Sequence, residues 1–337
     1  MTNQHSNSRR KFLTQSALMG AGVFFSKDLL AFANDGSKFG GVQIGTITYS
    51  FRSLPTDVDK VIEYCKNAGV SALELMGDTA EAYAGSPAAN TQPMRFGPPP
   101  PGAAPGQRPQ MTDEQRKAMA ERAQKGREWR ETVSMDKFVE LRKKFNDAGI
   151  SIYAYKPNAL GENNTDGEIE YAMKAAKALG AHSVTVELPN KPEHSKRLGD
   201  IAAKHKVYVG YHAHLQATDT AWDVALEQSP YNSLNLDCGH YISAGGNNTR
   251  ETLLKLIESK HDRITSIHLK DRTTKEHGQK NLLWGTGDTP IVEVLQLMKK
   301  KKYKFPATIE LEYEVPSDSD AVKEVAKCVE YAKKALS

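Results

Sequence analysis

The strongest constraint on the fold is a regular alternation of short apolar runs with longer amphipathic segments, which begins at residue 42. Eight β-branched runs fit strands, at 42–48, 71–76, 150–156, 183–188, 207–213, 233–238, 264–270 and 307–313. Between them, apolar residues recur at three- and four-residue steps, as on the buried face of a helix. Eight strands that are each followed by a helix predict an α/β fold, the closed (β/α)8 TIM barrel. A doubly wound open sheet is the alternative, but no G-x-G-x-x-G sequence follows the first strand.

One segment interrupts this alternation after the second strand. Residues 77–132 contain a proline-rich stretch, FGPPPPGAAPGQRP, and then a charged run, TDEQRKAMAERAQKGREWRE. The first part is predicted to run extended over the surface, and the second to form a solvent-exposed helix. Because this insertion follows the carboxyl end of a strand, it belongs to the barrel face that carries active sites. It is either a disordered tether, or a lid or oligomer arm.

The first 33 residues are predicted to be a cleaved export signal. SRRKFL at 8–13 closely resembles the twin-arginine signal, a short apolar run follows, and AFA at 31–33 has the form of a cleavage site. The alternatives are an uncleaved amphipathic helix or a membrane anchor, but the apolar run is too short to span a bilayer comfortably. We therefore expect a periplasmic protein without a stable membrane anchor, in which residues 34–41 link the signal to a barrel at 42–337.

The distribution of charge argues against nucleic acid as a partner. The formal net charge is +4, and residues 1–33 contribute +3 of it, from four basic side chains and one acidic one. The remaining +1 gives a near-neutral body, which has no electrostatic reason to bind nucleic acid or an anionic membrane. The three cysteines, at 65, 238 and 328, are too far apart to indicate a disulfide framework or a C-x-x-C zinc motif.

Polar side chains lie near the carboxyl ends of the predicted strands, where the active site of such a barrel is found. They are Glu74, Glu187, His212, Asp237, His268, Lys270 and Glu310. A single aspartate at the end of a strand is more often a helix cap than a ligand. Three carboxylates that converge from strands four, six and eight, however, would raise one another's pKa values and destabilise the fold. The joint pattern therefore predicts a divalent metal ion beside them.

The types of side chain narrow the choice of metal. Three carboxylates and one imidazole, with no thiolate, favour Mn²⁺ or Co²⁺, and Mg²⁺ or Zn²⁺ is possible. Glu312 lies on the same side of its strand as Glu310, because the two are separated by two residues. Which of these two glutamates is the ligand stays open.

Several motifs resemble those of the sugar phosphate isomerase/epimerase family, which has the xylose isomerase-like TIM barrel and includes ketose 3-epimerases and endonuclease IV. The matching stretches are VTVELP, VGYHAH, NLDCGHY, SIHLKDR, WGTGDTP and TIELEY, and the resemblance runs from about residue 42 to the end, apart from the insertion. It implies metal ligands at Glu187, Asp237, His268 and Glu310. It also implies that His240 faces the substrate oxygens and that Glu187 and Glu310 flank the reacting carbon.

The resemblance implies an enzyme that moves a proton next to a carbonyl group. A metal that binds the carbonyl and a neighbouring hydroxyl would stabilise the enolate, and Glu187 and Glu310 are the candidates for base and acid. The sequence EYEVPSDSD after the eighth strand is acidic and would repel a phosphate. We therefore expect a sugar isomerase or epimerase whose substrate is a non-phosphorylated sugar, keto-sugar or glycoside.

Four further side chains are candidates for substrate binding. They are His212, Lys270, Glu74 and Trp284. Lys270 could instead form a salt bridge with Asp271 or Glu310, and Glu74 could pair with a cation of the barrel. Trp284 could stack on a sugar face.

Three other functions stay open beside an isomerase. A 3-keto-glycoside lyase would use the same metal and base for an elimination. A nuclease of the endonuclease IV type needs more ligands and a basic track for phosphates, which the near-neutral body does not offer. A non-enzymatic sugar-binding protein would have no need of an intact ligand set. A homo-oligomer is also possible.

Overall fold

The computed structural model describes residues 36–93 and 112–337. The predicted export signal at 1–33 and the proline-rich stretch at 96–109 lie outside these residues. From residue 36, the segment predicted as a linker belongs to the fold, because Lys38–Phe39 pair antiparallel with the first barrel strand. Among the described residues, no helix has the length and apolar character needed to cross a membrane.

Eight parallel strands form a closed barrel, which confirms the predicted fold. They are β1 Val42–Ile47, β2 Ala72–Met76, β3 Ser151–Lys156, β4 Ser183–Glu187, β5 Tyr208–His212, β6 Asn232–Asp237, β7 Ile264–Leu269 and β8 Ala307–Ile309. Each strand pairs with the next, and β8 pairs with β1 to close the ring. The last strand is shorter than the predicted 307–313. It ends early because the chain forms a 3-10 turn directly after β1. Leu311 N therefore donates to the Ser50 hydroxyl of that turn instead of to a backbone carbonyl of a neighbouring strand.

Helices surround the barrel, and most follow a strand directly. Those of the described residues are α1 Val58–Asn67, α2 Gly77–Tyr83, α3 Asp113–Thr132, α4 Asp136–Asp147, α5 Asp166–Leu179, α6 Pro192–His205, α7 Asp223–Gln228, α8 Cys238–Ala244, α9 Arg250–Lys260, α10 Ile291–Lys301 and α11 Ala321–Leu336. Local sequence sets their ends. In α5, Thr165 and Glu168 form a reciprocal capping box, and Gly180 ends the helix in the left-handed conformation at φ +77°.

The alternation of side chains along each strand positions the polar groups. In β2, Leu73 and Leu75 are fully buried in the apolar core between the strands and the helices. Glu74, between them, points to the opposite face of the strand, which is the barrel interior. The same two-residue period places Asp237 and His268 on the interior face of β6 and β7.

The insertion is fastened to the barrel by one partly buried arginine, Arg130. Helix α3 is exposed along most of its length, as the charged run predicts, and Gly126 is its buried residue. Near its end, Arg130 donates to the Glu81 carboxylate at 2.9 and 3.0 Å and to Glu168 at 3.1 Å. The side chains of Glu81 and Glu168 are 1% and 0% exposed, so Arg130 is the cationic partner of two carboxylates that water does not reach.

We predict that Arg130→Ala lowers the free energy of unfolding by about 3–5 kcal/mol, because it leaves buried charges without a partner. Urea unfolding followed by circular dichroism measures this change. Lys125→Ala, at an exposed position of the same helix, is the matched control and should change the free energy by less than about 0.5 kcal/mol. Equal effects of the two substitutions would contradict the role given to Arg130.

Candidate active site

The barrel brings polar side chains together at the carboxyl ends of its strands. We define the strand-end cluster as Glu74, His212, Asp237, His268, Lys270 and Glu310, each of which is at most 7% exposed. All of them were candidates in the sequence. Their burial in one place means that every charge in the cluster must be balanced by another member or by a bound ion.

Four members of the cluster form a group that could hold a metal ion. One ligand atom from each of His212, Asp237, His268 and Glu310 lies within 4.8 Å of those of the others. His212, for which the sequence suggested substrate binding, is thus placed among three of the predicted ligands. Its Nδ1 lies 3.1 Å from Asn235 Oδ1, which leaves Nε2 to face Asp237 Oδ2 at 3.8 Å.

Glu187, the fourth predicted ligand, lies at the rim of the barrel and outside this group. Its side chain is 50% exposed, with Oε1 3.1 Å from Lys156 Nζ and Oε2 3.5 Å from His214 Nε2. Partial burial would raise the pKa of Glu187, but Lys156 and the nearby histidines lower it. Glu187 is therefore an ionised carboxylate with a lysine partner, and its roles as ligand and as catalytic residue stay predictions.

Lys270 occupies the centre of the cluster. Its Nζ lies 2.6 Å from Glu310 Oε2, 2.7 Å from Glu312 Oε2 and 3.1 Å from Asp237 Oδ2. Burial by itself would lower the pKa of Lys270, but the three carboxylates raise it above its ordinary value. Of the alternatives for Lys270, the salt bridge with Glu310 is present. Asp271 instead accepts hydrogen bonds from backbone amides of residues 285–289.

His268 lies between two carboxylates. Its Nδ1 is 3.0 Å from Glu310 Oε2, and its Nε2 is 2.8 Å from Glu74 Oε2. Burial would lower the pKa of His268, but the charges of Glu74 and Glu310 and the hydrogen bonds to them raise it to about 10. The imidazole is therefore protonated at neutral pH when no metal is bound.

Glu74 lies deeper than a sugar-binding residue would need to. It is fully buried, and its carboxylate also accepts from Thr185 Oγ1 at 2.6 Å and Asn235 Nδ2 at 3.2 Å. The structure thus has Glu74 paired with a cation of the barrel, His268, which was the alternative to sugar binding.

The donor set fits a divalent cation. Asp237 Oδ2 is buried and accepts no hydrogen bond from any described residue, although Lys270 Nζ lies at ion-pair distance from it. With Glu312, the cluster contains four carboxylates and two cationic side chains, so negative charge is in excess. Carboxylate and imidazole ligands without a thiolate suit Mn²⁺, Co²⁺, Mg²⁺ or Zn²⁺. Glu310 belongs to the metal-holding group, whereas Glu312 pairs with Lys270.

The ring of His240 lies between two basic side chains. Arg272 Nη1 lies 2.6 Å from His240 Nδ1, and Lys270 Nζ lies 3.0 Å from Nε2. Burial lowers the pKa of His240 to about 3, which keeps the ring neutral. A guanidinium and an ammonium group can only donate, and a neutral imidazole has one acceptor nitrogen, so His240 accepts a hydrogen bond from only one of the two. Ligand atoms of His212, His214 and His240 also lie within 4.8 Å of one another.

Sequence reasoning missed Arg272 as a member of the site. A signal was available, because Arg272 follows Lys270 and His268 at two-residue steps in the motif SIHLKDR.

Trp284 was predicted to stack on a sugar face. In the structure its ring packs edge-on against Tyr331 of α11, with centroids 5.8 Å apart. This contact fixes Trp284 against the helical layer, and its stacking on a sugar stays a prediction.

Comparisons with known proteins agree with this architecture. The family model described as xylose isomerase-like TIM barrel matches residues 62–332. No curated protein matches the chain. Among solved structures, a sugar phosphate isomerase/epimerase from Parabacteroides distasonis ATCC 8503 is 16% identical, with a TM-score of 0.55 over 88% of this chain and 96% of that one.

Two further solved structures have the same fold. The 3-keto-D-glucoside 4-epimerase YcjR from E. coli is 12% identical, with a TM-score of 0.56 over 87% of this chain and 99% of that one. The IOLI protein, whose structure contains a zinc atom, is 15% identical, with a TM-score of 0.56 over 88% of this chain and 99% of that one. At these identities the likeness shows the fold alone.

We predict that binding of Mn²⁺ to the metal-free protein at about pH 8 releases about one proton per ion, because His268 must lose its proton to coordinate. The release should decline as the pH rises through about 10, the raised pKa of His268. Calorimetric titration in buffers of different ionisation enthalpy measures it. His277→Gln, at an exposed histidine, should leave the release unchanged, whereas His268→Gln should abolish it. Uptake of Mn²⁺ without proton release would contradict the assignment of His268.

Proposed function

Because the chain belongs to the xylose isomerase-like TIM barrel family, we propose that it is a metal-dependent sugar isomerase or epimerase. The observation that supports this proposal is the approach of His212, Asp237, His268 and Glu310 to within 4.8 Å of one another at the barrel mouth. These residues would hold a divalent ion. When bound, the ion supplies Lewis-acid polarisation of a carbonyl and its neighbouring hydroxyl.

The carboxylates of Glu310 and Glu187 serve as the acid–base pair in this proposal. Burial would raise the pKa of Glu310, but Lys270 and His268 hold it well below its ordinary value, so Glu310 is ionised at neutral pH and can accept a proton. Glu187 is ionised as well and is accessible from the rim. One carboxylate removes the proton next to the carbonyl, and the other, after it has taken up a proton from solvent, returns that proton to the carbon.

Lys270 lies beside the place where negative charge would develop. Its Nζ is 3.0 Å from His240 Nε2, and its ammonium group can donate to a substrate oxygen. His240 stays a candidate for contact with the substrate oxygens. Donors that are already oriented stabilise an enolate oxygen more than water does.

The proposed substrate is a non-phosphorylated sugar, keto-sugar or glycoside. The segment after β8 contains four acidic and no basic residues in EYEVPSDSD, which does not favour a phosphate. The proposed export to the periplasm rests on the twin-arginine sequence at 8–13, and it agrees with a neutral sugar as substrate.

We predict that Glu310→Gln reduces the exchange of solvent deuterium into a keto-sugar by about 100-fold or more, the usual contribution of a general acid or base. Nuclear magnetic resonance of a keto-sugar panel in D₂O, with the Mn²⁺-loaded protein, measures the exchange and shows at which carbon it occurs. Glu314→Gln, at an exposed glutamate four residues along the same segment, is the control and should retain full exchange.

The products of this experiment also distinguish the competing functions. A new epimer or isomer supports the proposal, whereas release of a substituent from a 3-keto-glycoside would indicate a lyase. Sugar binding without any exchange would indicate a binding protein and would overturn the proposal. Full exchange by the Glu310→Gln protein would overturn the acid–base assignment.

A further inference from the structure

Lysine side chains gather at the end of the barrel opposite the strand-end cluster. A near-zero net charge predicts no attraction to an anionic membrane, but it does not describe how the charges are arranged. Helices α10 and α11 end at this opposite face, because each helix of such a barrel runs back toward the amino ends of the strands. We define the basic face by the lysines at these two helix ends and at the start of the described chain: Lys38, Lys299, Lys300, Lys301, Lys302, Lys304, Lys333 and Lys334.

Contacts bring the two helix ends together with the start of the described chain. Lys299 Nζ donates to Leu336 O at 2.6 Å and to Ser337 O at 3.0 Å, so the ends of α10 and α11 touch. A Cβ on Gly40 would lie 2.9 Å from Lys299 Cδ and 3.0 Å from Leu336 O. The segment that begins at Lys38 and pairs with β1 therefore lies beside both helix ends.

Much of the charge on the basic face is not neutralised by the protein. Lys301 pairs with Glu258 at 2.8 Å, and Lys333 with Glu330 at 3.8 Å. Lysines in the last turn of a helix also stabilise its macrodipole. The lysines that are exposed and form no salt bridge to any described residue are Lys300, Lys302, Lys304 and Lys334. Their charge is available to an anionic partner.

An aromatic side chain lies among these lysines. The Tyr303 ring stacks on the rings of His261 and Phe305, with centroid distances of 4.9 and 5.3 Å. Tyr303 is partly exposed, whereas Phe305 is buried. Tyrosine is enriched at the headgroup level of membranes, and clusters of lysine are attracted to anionic headgroups. The basic face combines both kinds of side chain.

We propose that the basic face binds the surface of a membrane that contains anionic lipid headgroups. The binding is peripheral and reversible, and it needs no segment that crosses the membrane. Its source is the attraction between the lysine ammonium groups and the lipid phosphates. Each lysine close to an anionic bilayer contributes about a fivefold increase in affinity.

The position of the chain's start favours a membrane over other polyanions. The predicted cleavage position at Ala33 is three residues before Gly36, the first described residue. Because a chain extends by at most about 3.6 Å per residue, a signal held in the membrane would keep Gly36 within about 11 Å of it. Electrostatic attraction acts over about 8–10 Å at physiological ionic strength. During the proposed export, the face nearest the lipid is thus the face whose charge suits it.

This orientation leaves the candidate active site accessible. The eight strands are parallel, so the strand-end cluster lies at the other end of the barrel. A strand of six residues, such as β7 Ile264–Leu269, spans about 20 Å. A molecule bound to the membrane through the basic face would therefore take up substrate from the solvent.

Cosedimentation of the full-length chain with lipid vesicles tests the proposal. Vesicles of phosphatidylcholine mixed with phosphatidylglycerol are compared with vesicles of phosphatidylcholine alone. We expect binding to the anionic vesicles that weakens as the salt concentration rises. The combined variant Lys300→Gln, Lys304→Gln and Lys334→Gln should bind about 100-fold more weakly, since three lysines each contribute about fivefold.

The matched control removes three exposed lysines from other parts of the surface. It combines Lys117→Gln, Lys125→Gln and Lys280→Gln, which change the net charge by the same amount. It should weaken binding by less than about threefold, because these lysines lie away from the basic face. The predicted signal at 1–33 is the same in all these proteins, so the comparison does not depend on any affinity of its own.

A fluorescent label tests the orientation separately. The three native cysteines are buried, so a cysteine introduced by Lys304→Cys or by Lys280→Cys can be labelled selectively. Lys280 lies in the segment that follows β7, on the side of the barrel mouth. We expect anionic vesicles to shift the emission of an environment-sensitive label to shorter wavelength at position 304 and to leave it unchanged at position 280.

Three outcomes would overturn the proposal. They are equal binding by the two combined variants, equal emission shifts at positions 304 and 280, and equal binding to anionic and neutral vesicles. Tight binding to a DNA duplex without binding to the anionic vesicles would also overturn it, since the basic face would then recognise nucleic acid. None of these measurements depends on catalysis, so they leave the proposed function to its own test.

Discussion

The balance of buried charge at the carboxyl ends of the strands is the constraint on which the site depends. Asp237, Glu310 and Glu74 are withdrawn from water, and His268 and Lys270 lie at hydrogen-bond or ion-pair distance from them. Removing either cation would leave a carboxylate buried without a partner, which is costly. The barrel tolerates these residues because adjacent strands deliver opposite charges to one point. The excess of carboxylates that remains is what makes a bound dication physically reasonable.

Pairing of buried charges also joins the insertion to the barrel. Arg130 sits between the buried Glu81 and Glu168, so α3 cannot leave the surface without exposing or separating charges. Because Arg122 of α3 in turn donates to the carbonyls of Ala88 and Ala89, the position of these residues depends on an ion pair more than on apolar contact. This arrangement explains how a highly charged helix, which buries little apolar surface, can stay in place beside the barrel.

The sequence predicted those features of the fold that the periodicity of the strands controls. All eight strands and the interior direction of Glu74, Asp237 and His268 follow from a two-residue period and from turn residues. What the sequence could not predict depends on partners that are remote in the chain. Nothing local indicates that Lys156 would face Glu187 or that Asn235 would lie beside His212. The early end of β8 likewise depends on the turn that follows β1.

The pair of glutamates at 310 and 312 can be understood through Lys270. The ammonium group of Lys270 and a bound dication would compete for Asp237 and Glu310. Both carboxylates contact Lys270, and both belong to the group that could hold a metal ion. Glu312 lies outside that group, yet its carboxylate is 2.7 Å from Lys270 Nζ. The lysine therefore has a partner that metal binding does not require, so it can stay charged beside an ion. Two glutamates on one face of the chain thus allow a metal and an ammonium group to coexist, and the ammonium stays available to a substrate oxygen.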